Sequence, residues 1–292
     1  MKKVGVTLKY NITPFVKWVG GKRQLIKEIE KRMPKNVNTY YEPFVGGGAL
    51  FMHLQNTETV INDYSKELTD AYLIIKDRPQ ELMHLLNIYE EEHLKRGKEF
   101  YYEVREKDRD EKWNEIDILE KTARFIYLNK ACFNGLYRVN QKGFFNVPFN
   151  GKEKIKTFDR QNIENLSKYF NEKKVVILNG DFEDACKNAK KGDFIFFDPP
   201  YDLLKKDSFE SYTKDGFGVE GQKRLAKLFK KLDKKGCYVM LTNHNTDLIN
   251  ELYKDYNIDV VGVKRMINSD SKNRVGVETI IYNYELSEVL EG

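Results

Sequence analysis

The chain has 292 residues and carries 50 Lys and Arg against 45 Asp and Glu, a net charge of +5. With 40% hydrophobic and 13% aromatic side chains it holds enough apolar surface for a sizeable core, which excludes whole-chain disorder. The apolar run Phe194–Phe197 is four residues long against the roughly twenty of a membrane span, and Met1-Lys2-Lys3 leads into no apolar signal segment.

In chain order, Leu25, Ile26, Ile29 and Met33 recur at helical spacing within Gln24–Met33, and Pro34 ends that helix. Thr39–Val45 is a short aromatic and β-branched strand running into Gly46-Gly47-Gly48. Ala49–Leu54 starts a helix directly after the glycines, and Thr59–Asp63 is a second strand ending in an acid. Strand, glycine turn, helix and strand form the opening unit of a parallel-sheet nucleotide-binding fold. Three long, charge-laced helical stretches follow, Ser65–Tyr89, Glu90–Arg109 and Lys112–Asn129, and then a loop or hairpin over Asn134–Phe149. Strands resume at Val175–Leu178, Asp193–Phe197, Cys237–Leu241, Val260–Val263 and Thr279–Tyr284, the last pair reading as a closing hairpin. The expected architecture is therefore α/β, a discontinuous sheet domain over 12–64 and 165–292 interrupted by a mostly helical insertion over 65–164.

Two motifs carry chemistry. Glycines after a strand let the backbone approach a ligand at a helix amino terminus. Asp63 lies seventeen residues beyond Gly46, where a carboxylate accepts from a ribose diol; a tight turn without a ligand equally accounts for the glycines alone. Gly20-Gly21-Lys22 is followed by Arg23 and lacks the spacing of a Walker phosphate loop. Asp198-Pro199-Pro200-Tyr201 follows a buried strand, at the end where α/β folds place ligands. An acid, two rigid carbonyls and an aromatic ring suit a planar group bearing an amino substituent: Asp198 takes one amino hydrogen, a proline carbonyl the other, and Tyr201 stacks on the ring. A Pro-Pro turn capped by Asp explains the prolines but not the whole constellation.

Cys132, Cys186 and Cys237 are odd in number and widely separated, which predicts small buried hydrophobes in a reduced, cytoplasmic setting with no disulfide or CxxC site. None lies in a Pro-Cys motif, against carbon-5 cytosine methylation. His53, His84, His93 and His244 show no ligand spacing, so no metal is expected. Each reads as a surface or hydrogen-bonded core histidine.

Taken jointly, Pro14–Arg23, Glu42–Phe51, Asn134–Asn140, Phe145–Phe149 and Asp198–Tyr201 resemble the motifs of the Dam family of N6-adenine DNA methyltransferases, in its GATC-modifying branch. The motifs stand in the family's order, with the insertion between the cofactor and catalytic motifs, and the likeness runs from about Ile12 to Tyr284. The resemblance implies a Rossmann-like S-adenosylmethionine-dependent methyltransferase sheet with an inserted DNA-recognition domain. It implies S-adenosylmethionine as cofactor, held by Trp18, Lys22, Gly46, Gly48, Asp63, Asp181, Phe182 and Asp198. For Asp181-Phe182 an Asx turn ending a strand is an equal alternative. Catalysis falls to Asp198, Pro199 and Tyr201, by direct attack of a polarised amino nitrogen on the sulfonium methyl. The partner implied is double-stranded DNA, with a cognate restriction endonuclease of the same site as a further candidate. No membrane is expected, and a monomer is the default state.

A base within a duplex must flip out to be methylated. The resemblance places Phe133 as an aromatic inserted into the duplex, with Asn134 beside it, and Arg138 as the reader of a guanine, for which an Arg fork is best suited. It makes Leu136 and Pro148 apolar contacts, and Lys17 a contact to the first guanine; loop packing accounts for Leu136 and Pro148 about as well. Rival readings are an amino-group methyltransferase acting on another DNA sequence, on RNA or on a glutamine amide, a nicotinamide dehydrogenase, and an idle DNA-binding protein. The dehydrogenase leaves Asp-Pro-Pro-Tyr unexplained. Residues 129–160 hold seven basic side chains against two acidic, and residues 1–32 nine against two. The mild average charge thus conceals two basic segments suited to phosphate contacts, whose binding weakens as salt rises.

Overall fold

The computed structural model describes residues 9–56, 58–202, 217–264 and 275–287. The fold is mixed α/β. Seven strands form one sheet in the order β3-β2-β1-β4-β5-β7-β6: β1 (Tyr40–Glu42), β2 (Glu58–Asp63), β3 (Lys174–Asn179), β4 (Phe194–Phe197), β5 (Tyr238–His244), β6 (Asn257–Lys264) and β7 (Val275–Tyr282). Each expected strand is present, within a few residues of the expected bounds. β1 runs parallel to both β2 and β4, and β4 parallel to β5. A continuous apolar run suits a strand covered on both faces, and all four residues of β4 are fully buried. The expected closing hairpin forms, β6 and β7 pairing antiparallel, but β7 also pairs antiparallel with β5 and so lies between β5 and β6.

Compactness divides the chain into two units. The described part of one comprises 9–21, 46–55 and 65–177; that of the other comprises 22–45, 56, 58–64, 178–202, 217–264 and 275–287. In the second unit, Leu225, Leu228, Phe229 and Leu232 of α9 (Gly218–Lys234) pack with Ile195, Phe197, Val239 and Leu241 in one apolar core. Two registers there fix the functional end of the sheet. Phe197 pairs with Leu241, so the next residues, Asp198 and Thr242, emerge side by side. His244 pairs with Glu278, which brings β7's carboxylate to the same edge.

The first unit is mostly helical: α2 (Ala49–Leu54), α3 (Lys66–Asp77), α4 (Pro79–Arg96), α5 (Lys98–Glu106), α6 (Ile118–Ala131) and α7 (Arg160–Glu172). The expected stretch Ser65–Tyr89 is two helices, because Pro79 has no N–H to continue α3 and instead opens α4. Gly97, at φ +48°, separates α4 from α5. Tyr89, Phe100, Tyr101, Val104, Tyr127 and Leu128 form the core, which Phe145 and Val147 join from the following loop. That loop is hairpin-like: Val139 bridges Phe145, and the Asn140 N–H donates to the Phe144 carbonyl at 2.9 Å. All three cysteines are buried and unbridged.

Candidate active site

The loop after β4 carries the acid. Asp198 Oδ1 receives two donors, Lys22 Nζ at 2.8 Å and Thr242 Oγ1 at 3.0 Å, while among the described residues no donor reaches Oδ2. The pair is largely shielded from water, the Lys22 and Asp198 side chains being 10% and 16% exposed. Burial pushes the Asp198 carboxyl above the ordinary carboxylate range; the Lys22 ammonium and the Thr242 hydroxyl pull it down, and Glu278 adds to the rise.

Tyr201 is held on three sides. Its hydroxyl donates to Glu278 Oε2 at 2.7 Å, its ring meets His244 edge-on at 4.8 Å, and Lys22 Nζ stands 4.3 Å from its centroid. Burial, with Asp198 and Glu278 nearby, raises its pKa well above that of a free phenol, so the hydroxyl remains a donor. The two proline carbonyls differ. Gln222 Nε2 donates to the Pro200 carbonyl at 2.8 Å, whereas among the described residues nothing donates to that of Pro199. Asp198 Oδ2 and the Pro199 oxygen thus stand as acceptors beside an immobilised aromatic ring. Thr242, Glu278, His244 and Gln222 are absent from the sequence-based set. The signal for Thr242 and His244 was the polar run Thr242-Asn243-His244 ending an apolar strand; Glu278 carried none, since its place depends on β7 inserting beside β5.

Asp63 ends β2, half-buried, and its carbonyl accepts from the Gly180 N–H at 3.1 Å and Asn179 Nδ2 at 2.9 Å, which brings the Gly180-Asp181 turn alongside. Asp181 caps α8 (Phe182–Ala185) by accepting from the Glu183 N–H at 2.9 Å. Arg224 Nη2 donates to both carboxylate oxygens of Asp181, at 2.9 and 3.0 Å, and its guanidinium covers the Phe182 ring at 4.9 Å. The Asx turn is therefore real, with an ion pair added. Phe182 stacks on Phe44 at 5.2 Å.

In the helical unit, Gly48 (φ +74°) begins α2, and a Cβ there would lie 2.2 Å from Phe51 Cε1 and 2.6 Å from Tyr72 Oη. Tyr72 donates to the Gly46 carbonyl at 2.9 Å. Trp18 Cδ1 lies 2.9 Å from where a Cβ on Gly46 would stand, and the indole stacks on Tyr137 at 5.7 Å. Asn129 ties two proposed reading segments together. Its Oδ1 accepts from the Lys17 N–H at 2.8 Å, and its Nδ2 donates to the carbonyls of Lys17 (2.8 Å) and Gly135 (3.1 Å). Phe133 is 52% exposed, unusual for a Phe, and its N–H donates to the Pro148 carbonyl at 2.9 Å. Asn134 adopts φ +55°, which Asn tolerates better than most residues. Arg138 is exposed and donates through Nε to Asn146 Oδ1 at 2.7 Å; Pro148 is exposed and Leu136 half-buried on the unit's core. Lys130 is half-buried, and its pKa is pushed down to about 8 by partial burial and by the neighbouring Lys17 charge.

Residues 18–267 match the model of the D12 class N6 adenine-specific DNA methyltransferases. The chain belongs to this family. It is 45% identical to the Type II methyltransferase M1.LlaDCHI of Lactococcus lactis subsp. cremoris, over 94% of this chain and 97% of that one. It is 44% identical to the Type II methyltransferase M.MjaIII of Methanocaldococcus jannaschii, over 94% and 99%. The DNA adenine methylase of Haemophilus influenzae is 32% identical, over 96% of each chain. As a D12-class enzyme the chain is a DNA adenine-N6 methyltransferase. Among the described residues no helix is long and apolar enough to cross a membrane, and no group of three or more His, Cys, Asp or Glu residues is placed to hold a metal ion.

Proposed function

We propose that the enzyme methylates the adenine of double-stranded GATC with S-adenosylmethionine as donor. The observation that carries the chemistry is the division of labour at Asp198: among the described residues Lys22 and Thr242 both reach Oδ1, and Oδ2 and the Pro199 carbonyl receive no donor and suit the two hydrogens of one amino group. The amino lone pair of adenine is delocalised into the ring. Acceptance of both hydrogens favours a pyramidal, electron-rich nitrogen and sets the Asp198 carboxylate against the positive charge that develops there, the fixed electrostatic stabilisation that dominates many enzymes. Tyr201, locked by Glu278 and His244, stacks on the extruded purine and offsets part of the few kcal/mol of lost base stacking.

The donor supplies an electrophilic sulfonium methyl. The residues assigned to it are Asp63 as acceptor for the ribose hydroxyls, Asp181, already paired with Arg224, for the purine amino group with Phe182 beside it, Gly46 and Gly48 as a turn without Cβ atoms, and Trp18 and Lys22 from the amino-terminal motif. Residues 65–164 serve as the DNA-recognition insertion, Phe133 entering the duplex with Asn134 beside it, and Lys17, Leu136, Arg138 and Pro148 contacting the site. The exposed Phe133 ring and Arg138 fork support this reading, as do the relatives called DNA adenine methylase. The relatives called Type II methyltransferase support a partner endonuclease of the same site. The enzyme acts as a monomer in this reading.

The test is methylation of plasmid in vitro with labelled S-adenosylmethionine, followed by digestion with one endonuclease that cuts only unmethylated GATC and another that cuts only the methylated form. Resistance to the first and sensitivity to the second is expected. Protection confined to another sequence would overturn the GATC assignment.

A further inference from the structure

Two buried amides lie behind the catalytic loop, both in the unit that carries it. Asn243 on β5 and Gln222 on α9 are 0% and 1% exposed. Asn243 Oδ1 accepts from the N–H groups of Asp202 (2.9 Å) and His244 (2.8 Å). Those two donors fix which end of the Asn243 amide is oxygen, so its Nδ2 donates to Gln222 Oε1 at 3.1 Å. Gln222 is thereby fixed as well, and its Nε2 donates to the Pro200 carbonyl at 2.8 Å. Reversing either amide would oppose like groups at its contacts, and a buried amide left unpaired is costly. Asp202 is held further: its carbonyl accepts from His244 Nδ1 at 2.6 Å and its carboxylate from Thr246 Oγ1 at 2.5 Å.

We propose that the Asn243–Gln222 relay positions the Asp198–Tyr201 loop for transfer, gripping the Pro200 carbonyl and the Asp202 N–H on either side of Tyr201 so that the Pro199 carbonyl alone of the two faces the substrate amino group. The two residues touch no reacting atom; they act through the loop. This rests on the reading that Asp198 and Pro199 accept the amino hydrogens. Orientation is where such a device would show itself, since a misplacement of about 1 Å can cost about a hundredfold in rate. A pair that merely satisfied buried backbone would alter stability and binding instead.

The test uses the full-length enzyme and a duplex containing one target site. Gln222→Glu keeps the shape and, when ionised, sets an oxygen against the Pro200 carbonyl; Gln222→Met keeps the approximate volume and removes the donor without adding charge. Both should lower the single-turnover methylation rate by roughly 10- to 100-fold, with affinities for the duplex and for S-adenosylhomocysteine within about threefold of wild type. A rate close to wild type in folded Gln222→Met, which has no donor in either charge state, would overturn the proposal. So would a rate loss matched by an equal loss of affinity, which assigns the pair to binding, or failure of both variants to fold, which assigns it to stability. Asp198→Ala run alongside separates the two readings. Methyl transfer by that variant would sink the loop's catalytic assignment, whereas an inactive Asp198→Ala beside fully active Gln222 variants sinks only the relay.

Discussion

Lys22 and Asp198 are 176 positions apart in the chain, yet the ammonium lies 2.8 Å from Oδ1 of the carboxylate and 4.3 Å from the centre of the Tyr201 ring. Burial and the cation act on Asp198 in opposite directions, and burial wins: the carboxyl titrates above its ordinary range. The acid must be ionised to accept an amino hydrogen. The single-turnover rate should therefore fall as pH drops through a value above the ~3.9 of a free Asp. Lys22→Met removes the charge that lowers this value, so the acid limb should move to still higher pH. A limb that stays in place or moves down would show that Lys22 does not govern Asp198.

Arg138 is exposed and donates through Nε to Asn146 Oδ1 at 2.7 Å and through Nη2 to the Asn146 carbonyl at 3.4 Å. Arg138→Ala should loosen discrimination at one guanine of the site by about 1–3 kcal/mol, roughly fivefold to 150-fold in relative kcat/KM. The comparison is between the cognate duplex and duplexes substituted at each position. An unchanged preference removes Arg138 from the readers.

Gly48 cannot carry a side chain. Alanine there would combine a left-handed φ of +74° with a Cβ 2.2 Å from the Phe51 ring. Gly48→Ala should destabilise the protein by about 2–4 kcal/mol, lowering the melting temperature by several degrees. A melting temperature equal to wild type would show that α2 shifts without cost.

Lys130 makes a prediction about stability and pH. Its folded pKa, about 8, lies below the 10.5 of a free lysine, so at neutral pH the folded protein holds a half-buried charge at a cost that, discounted for its remaining exposure, is on the order of 2 kcal/mol. As pH rises past about 8 the folded state releases this proton while the unfolded state keeps it, so stability rises over that interval. Lys130→Met should be more stable than wild type at pH 7, with the difference shrinking between pH 8 and 10. Denaturant melts across that range measure it, and a constant difference would show that Lys130 stays protonated when folded.

Much of the fold and the central loop were legible in the chain. The apolar run of β4, the alternation in the flanking strands and the glycines before α2 are local patterns, and local patterns follow from the periods of the backbone. Pro79 and Gly97 were equally local signals, and they break a stretch that apolar spacing alone reads as continuous helix. Asp198-Pro199-Pro200-Tyr201 was legible because two prolines beside an acid and an aromatic follow directly on an apolar strand, the end at which α/β folds place ligands. Asp181 was visible as an Asx turn, but its partner Arg224 lies on a helix far along the chain.

The amino-acid order thus determined which strands and helices form, and which acid, carbonyl and ring end the central strand. Tertiary structure decided what surrounds them. Only the insertion of β7 beside β5 brings Glu278 to the Tyr201 hydroxyl, only the register of β4 against β5 sets Thr242 on Asp198, and only the packing of α9 directs Gln222 at the Pro200 carbonyl. The physical reason is range. Helices and strands are specified by contacts a few residues apart, whereas the electrostatics of a buried carboxylate depend on donors and charges within a few ångströms, whatever their distance along the chain.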